Sequence, residues 1–459
     1  MIRSLLSDKS VPARRFLTVL PLTLALSACV TTEFTQPRAD VARAFAASAP
    51  GRTATAPWWQ SFRDNRLDAL IAQGLARNLS IEEAIAVIDE AEAGTRLTRS
   101  AALPGLQAGA AAQRGNAQGE DVFESTSATL STSWMLDIFG GNRASRAAAL
   151  AELQAAQLSV DVARRSVASA IATTYIDLRF FQESIALTRQ SIASRNETLE
   201  LTRSMQDMGQ ANRLDVLQAE QAVVQAEAEL PTLQIGYDQA LNRLATLTAS
   251  RTAALRPGLQ SGAAQPAARF SPSVGVPAEV IRLRPDIRVS ERRLAAAAAR
   301  VGVAEAAFWP SVSLSGSITP TNVSGGLNPT TWALGPQINL PIFTGGANRA
   351  NLSAAQSRAV QAEIDWRASV LDAVEEVENG LVAFNRGASN VAVQRRLVAT
   401  GQETVTLARE AWQAGQTDFF TVLDAERTVL AARTALASAV RDHAAGYVAL
   451  SIAAASPQQ

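Results

Sequence analysis

The chain carries one pattern twice, and the two copies stand a constant distance apart. Gly209-Gln210 recurs as Gly415-Gln416, and 415 minus 209 is 206. At that same separation Val216-Leu217-Gln218-Ala219-Glu220 recurs as Val422-Leu423-Asp424-Ala425-Glu426. Asn142-Arg143 recurs as Asn348-Arg349, Pro104 as Pro310, and Ile81 as Ile287. A period this long is no solenoid repeat; it marks a duplicated, domain-sized unit. The segment 251–277, rich in Ala, Pro, Gly and Ser, reads as a connector between a first repeat over 58–250 and a second over 278–459.

Each repeat reads helix, strand, strand, long helical hairpin. Ser80-Ile81-Glu82-Glu83 has the form of a capping box opening the first helix. Its counterpart opens at Arg284-Pro285-Asp286, with Asp286 as cap. Strands follow with a period of two. Val312, Leu314, Gly316 and Ile318 alternate with Ser311, Ser313, Ser315, Ser317 and Thr319. Trp332, Leu334, Ile338, Leu340 and Ile342 alternate with Ala333, Gly335, Gln337 and Asn339. The first repeat shows Leu106, Ala108 and Ala110, a loop near 114–124, then Ala128, Leu130, Trp134, Leu136 and Ile138. One apolar and one small polar face fit a membrane β-barrel with lipid outside and water inside. Trp134, Phe139, Trp309, Trp332 and Phe343 fall near strand ends, where interfacial aromatics belong. The same alternation also suits a soluble sandwich.

From Asn142 to Met208 there is neither Pro nor Gly. Ile171, Leu178, Ile185, Ile192 and Leu199 keep heptad spacing, answered by Val370, Val377, Phe384, Val391, Val398, Val405 and Trp412. Such spacing predicts supercoiled helices on the order of 100 Å long. Gly209 and Gly415 mark the turns of the two hairpins, and Pro231 is expected to break or kink the first return helix. Four strands cannot close a barrel, and an open edge cannot stand in lipid. Several copies must therefore combine. Three would supply twelve strands, with the hairpins continuing as an α-helical barrel.

Composition excludes other classes. Forty-two basic and 42 acidic side chains balance, which argues against nucleic acid as partner. No run approaches the roughly 20 apolar residues of a membrane helix. One cysteine allows no disulfide within the chain, and no Cys/His/carboxylate cluster offers a metal site. The one histidine, His443, reads as a surface or packed helix residue rather than a catalytic base. No phosphate loop or nucleophile–base pattern marks an enzyme. Arg3, Lys9, Arg14 and Arg15 precede the apolar run Phe16 to Leu26, which has the length of a signal-peptide core. It ends in Leu26-Ser27-Ala28-Cys29, similar to a bacterial lipoprotein processing site. Residues 1–28 are then signal peptide, Cys29 the lipidated first residue, and 29–57 an extended lead. Val30 leaves out the aspartate of inner-membrane retention.

Several stretches together resemble the TolC-like outer-membrane efflux proteins, specifically the RND-type, NodT-like lipoproteins. Residues 276–288, VPAEVIRLRPDIR, resemble that family's LPxxLLxRRPDIxxAE signature. Phe308 to Leu314, Trp134 to Arg143, Leu340 to Arg349 and Trp58 to Phe62 match its other conserved segments. The resemblance implies a homotrimeric duct through outer-membrane lipid and periplasm, docked to a periplasmic adaptor (membrane fusion) protein and an inner-membrane RND-type pump. It implies no cofactor beyond the lipid on Cys29 and no catalysis. It places a gate at Asp424, Phe420 and Asp215, and adaptor-docking tips at Gly209, Gln210, Gly415 and Gln416. Thr421 stands where some relatives carry a second acid. A type I protein-secretion duct would share the fold, and a poreless coiled-coil lipoprotein would share the heptads without needing the strands.

Overall fold

The computed structural model describes residues 42–46, 57–116, 122–268, 274 and 277–455, so Cys29 and the signal segment lie outside the described residues. The described chain divides into two compact units. One holds residues 88–155 and 290–366, the other 38–87, 156–289 and 367–459.

The first unit contains a single four-stranded antiparallel sheet in the order β1-β2-β3-β4. The strands are β1 (Gly105–Gly115), β2 (Phe123–Leu136), β3 (Ser311–Val323) and β4 (Thr330–Asn339). Residues paired across strands share a face. Ala108, Leu130, Ile318 and Trp332 form one continuous row, as do Leu136, Val312 and Ile338. On the other face lie Gly105, Ser133, Ser315 and Gly335, and next to them Gln107, Ser131, Ser317 and Ala333. Thr129 and Thr319 join their hydroxyls on that face at 3.0 Å. The alternation read from the sequence is thus one sheet with two unlike faces. The strand ends differ from expectation. Ile138, Leu340 and Ile342 fall beyond the ladder, and β1 reaches Gly115, shortening the loop. Pro336 sits in an edge strand, the place a residue without an N–H is tolerated.

At the foot of the sheet Asp137 accepts the N–H groups of Asn142 (3.0 Å) and Arg143 (2.9 Å). It thereby satisfies donors at the start of the long helix that follows. Trp309 stacks on Phe139 with centroids 5.4 Å apart, and the Trp134 indole donates to the Ala102 carbonyl.

The helices, in chain order, are α1 (Asn65–Arg77), α2 (Leu79–Ser100), α3 (Gly141–Asp207), α4 (Arg213–Leu247), α5 (Thr252–Leu259), α6 (Pro277–Leu283), α7 (Pro285–Ala306), α8 (Ala347–Gln413) and α9 (Phe419–Ala453). The long members α3 and α8 have 67 residues each, and the return helices α4 and α9 have 35 each. Their lengths obey the duplication. The heptad residues Ile171, Leu178, Leu199, Val370, Val377, Val391 and Trp412 are buried, and the others in the two series are half-buried.

Three expectations are corrected. Asn78, not Ser80, caps α2: its side-chain oxygen accepts the Ser80 N–H, while its side-chain NH2 donates to the Leu247 carbonyl. A long-range partner decides that cap. Asp286 does not cap α7 but takes the buried Arg284 guanidinium, which also reaches Glu376 at 2.6 Å and the Ala453 carbonyl. Helix α4 runs through Pro231 without a break. An interior proline costs about 3 kcal/mol; burial of Val223 and Ala226 before it, and Leu241 and Leu244 after it, offsets that. The connector 251–277 contains α5, whose Leu259 is buried and whose end is held by Gln182 and Arg179 of α3.

The start of the fold is Trp58–Phe62, a single 3-10 turn that buries Trp58, Trp59 and Phe62. Its neighbour Asp64 caps α1 and accepts the Tyr175 hydroxyl at 2.6 Å. His443 is a packed residue: it stacks on Phe384 at 4.7 Å, and burial lowers its pKa from the ordinary value.

Glycine sets the spacing of α8 and α9. A Cβ on Gly380 would meet the Leu450 backbone at 3.0 Å, and one on Gly446 would meet Ala383 at 3.3 Å. Replacing Gly380 by Leu forces the two helices apart, at an expected cost of about 1–3 kcal/mol. A thermal melt checks this: the variant unfolds at lower temperature than the parent, whereas Gly94→Leu, at a position with open space, does not.

Candidate functional site at the hairpin tips

Both hairpins turn by the same device. Gly209 has φ +74° and Gly415 φ +70°, the left-handed region glycine enters without strain. The Gly209 N–H bonds the Gln206 carbonyl and the Gln210 N–H bonds that of Met205. Gly415 and Gln416 repeat this onto Trp412 and Ala411. These are helix-ending glycine motifs, and all four tip residues are exposed.

The return helices then start with equivalent caps made of different residues. In the first tip Asn212 and Asp215 form a reciprocal capping box, each side chain accepting the other's N–H at 3.0 Å. In the second tip Asp418 accepts both the N–H (3.0 Å) and the hydroxyl (2.7 Å) of Thr421. Those two bonds hold the Asp418 carboxyl below the usual aspartate range. The duplication pairs Asn212 with Asp418 and Asp215 with Thr421. Each tip thus keeps one carboxylate in its cap, on opposite members of the pair. Thr421 is there as the partner of that cap.

The tips share one apolar core. Leu199, Val216, Ala219 and Val223 of the first hairpin pack with Ala408, Trp412, Phe419, Val422 and Ala425 of the second. Trp412 and Phe419 meet with centroids 5.0 Å apart. Phe419 fills the core, which leaves its neighbour Phe420 outside, 65% exposed. Phe420 lines a groove of about 260 Å³ with Leu423, Asp424 and Arg427 of α9, and Gln218, Gln221 and Gln225 of α4. Asp424 pairs with Arg427 at 2.7 Å, one turn on, and both side chains are substantially exposed. Of the three residues expected to act together, the structure brings Phe420 and Asp424 into one groove. Asp215 belongs to the cap of the other tip.

Sequence reasoning missed the polar lock between the hairpins. Glu426 is buried and accepts from Arg409 at 2.6 Å and from the Thr198 hydroxyl at 3.0 Å. Arg409 also donates to Ser194 at 2.7 Å. Arg433 reaches Gln190 at 3.2 Å farther along the same helices. A signal was present: Phe419, Val422, Glu426, Val429 and Arg433 follow the three- and four-residue spacing of a packing seam. An acid on such a seam needs a cation. Among the described residues no cluster of His, Cys, Asp or Glu could hold a metal ion, and no helix is long and apolar enough to cross a membrane.

The sequence matches the profile of the outer membrane efflux protein family over residues 70–250 and 276–455. The chain belongs to that family. The two matched stretches fall on the two halves related by the 206-residue offset. "Nodulation protein T" of Rhizobium leguminosarum bv. trifolii is 37% identical over 418 residues, covering 88% of this chain and 89% of that protein. The toluene efflux pump outer membrane protein TtgF of Pseudomonas putida is 34% identical over 398 residues, 83% of this chain and 81% of that one. The solved outer-membrane channel OprN superposes with a TM-score of 0.85 at 30% identity, covering 94% of this chain and 99% of that chain. The outer membrane efflux protein described here is the outer-membrane channel component of an efflux system, and its family is not one of enzymes.

Removing the lock should loosen the tips. Glu426→Leu leaves Arg409 without its counter-ion, at an expected cost of about 2–3 kcal/mol. Hydrogen exchange checks it: amides of 405–430 exchange faster in the variant, while those of Glu229→Leu, at an exposed position of α4, match the parent.

Proposed function

We propose that three copies of this chain form the outer-membrane duct of a tripartite efflux system. The duct would carry small molecules, drugs and toxic compounds across the periplasm and outer membrane without chemistry. The observation that carries this reading is the sheet. Its apolar side is left in the open: Trp332 is 76% exposed and Leu334 and Ile338 each 68%. Its small polar side is concave, lined by Gln107, Ser131, Ser133, Ser315 and Ser317. A surface apolar patch of this extent needs a cover, and the outer edges of β1 and β4 have no partner strand among the described residues. Closure of three such sheets into twelve strands supplies both: lipid against the even-numbered face, water against the odd-numbered one. Aromatic residues near both strand ends suit the two membrane interfaces.

Cys29 would anchor each copy by its acyl chains. The hairpins would continue the barrel as an α-helical duct, with Gly209, Gln210, Gly415 and Gln416 docking a periplasmic adaptor protein, itself joined to an inner-membrane RND-type pump. The gate is the ring of Phe420 and Asp424 side chains. Exposed phenyl rings crowded about an axis resist wetting, and the carboxylates select cations. Arg427 beside Asp424 tempers that charge, so the ring alternates in sign rather than presenting bare acids. Asp215 adds its carboxylate to the first tip while it holds the cap. Opening is an iris-like realignment of the hairpins driven by adaptor contact.

Single-channel recording in a planar bilayer tests the gate. The parent should show a small steady conductance, and Phe420→Ala with Asp424→Ala should raise it severalfold. Equal conductance in the two proteins would remove these residues from the gate, and none from either, after confirmed insertion, would remove the duct.

A further inference from the structure

A charge taken out of water is costly unless it is paired, so buried arginines usually face a carboxylate. Arg195 of α3 breaks that rule. It is 8% exposed, and among the described residues its one hydrogen bond runs from Nη1 to the Ala222 carbonyl of α4. Its Nε and Nη2 have no partner there. Arg433 of α9 is half-buried, and its bond among the described residues goes to the Gln190 side-chain oxygen at 3.2 Å. Neither guanidinium has a carboxylate partner among the described residues.

Both arginines line one groove of about 250 Å³ where α3, α8 and α9 meet, together with Arg409, Glu426, Ser191 and Ser194. Glu426 is the one acid on that wall. Its Oε1 is already committed to Arg409 and the Thr198 hydroxyl, and its Oε2 is buried without a partner. Three arginines against one glutamate leave two positive charges in excess. The excess is not imposed by the helical packing. The offset of 206 takes Arg195 to Gly401, Ser191 to Leu397 and Arg433 to Glu227, so the other half of the duplication dispenses with these cations.

We propose that this groove binds a small oxyanion of the phosphate class, one per chain. A guanidinium presents a fork of N–H donors that matches the oxygens of such an anion, and charge-assisted bonds of this kind exceed neutral ones in strength. Arg195 supplies its unused N–H donors, Arg433 a second guanidinium, and Ser191 and Ser194 their hydroxyls. The donors come from α3 of the first hairpin and from α9 of the second. A bound anion therefore ties the two hairpins together beside the Arg409–Glu426 lock, and by mass action it stabilises the arrangement that binds it. The site is independent of how the sheet closes and of how many copies assemble.

The test is isothermal titration calorimetry of the full-length protein in detergent, at fixed ionic strength in chloride, with inorganic phosphate as the probe. Saturable binding of one phosphate per chain is expected. Arg195→Gln and Arg433→Gln should each weaken it roughly tenfold or more, the loss of a charge-assisted bond. Arg203→Gln, whose partner is the exposed Glu200, should keep the parent affinity. Hydrogen exchange gives a second reading: phosphate slows the amides of 190–198 and 426–433 in the parent and not in Arg433→Gln. If Arg195→Gln does not fold, Arg433→Gln and the exchange data decide. A parent that shows neither saturable heat nor protection overturns the site. So does undiminished binding in the arginine variants, or an effect that follows ionic strength in place of phosphate. An experimental density map in which Arg195 pairs with Oε2 of Glu426 overturns it as well, since the cation then has its counter-ion within the chain.

Discussion

A β-sheet edge is a row of backbone donors and acceptors, and in lipid each one left unpaired costs several kcal/mol. This chain builds a sheet with two such edges and one face of exposed Leu, Ile and Trp. Neither edge nor face finds a cover within the described chain. In the proposed assembly the strands are a fraction of a barrel, and copies of the same sequence supply the remainder.

Duplication is the economical solution. The two nearly equivalent halves of the chain make one contact with each other. The inner contact is visible: Arg409, Glu426, Thr198 and Ser194 bind one another under a shared core of Trp412, Phe419 and Val422. A buried pair of this kind is weak as a source of stability but strong as a specifier of register, because removal of one member strands the other. At the tips the two halves diverge. Leu214 and Gln218 stand in the first repeat where Phe420 and Asp424 stand in the second.

Much of this could be read from residues alone, and the parts that could not share a cause. The offset, the heptads, the two-faced strands and the glycine turns are periodic or local, and periodicity survives without knowledge of the partner. Ser80-Ile81-Glu82-Glu83 looks locally sufficient as the cap of α2, while Asn78 gains a bond to Leu247 that is distant in sequence. Helix α5 was hidden by Pro257 and Gly258, and it persists through contacts from Gln182 and Arg179. Pro231 was expected to interrupt a helix that tertiary burial carries through. The lock at Glu426 is not legible in local sequence because its residues come from three helices. At the second tip, adjacent phenylalanines differ only in helical phase, and packing on Trp412 decides that Phe419 is the inner one.

The central claim is that the sheet closes between copies with its odd-numbered face toward water. A cryo-electron microscopy reconstruction of the full-length protein in lipid nanodiscs measures this directly. The account predicts three copies, twelve continuous strands, Ser131 and Ser317 lining the lumen, and Leu334 and Ile338 against lipid. A particle whose sheets remain open, or one with the Leu334 and Ile338 face turned inward, would contradict it.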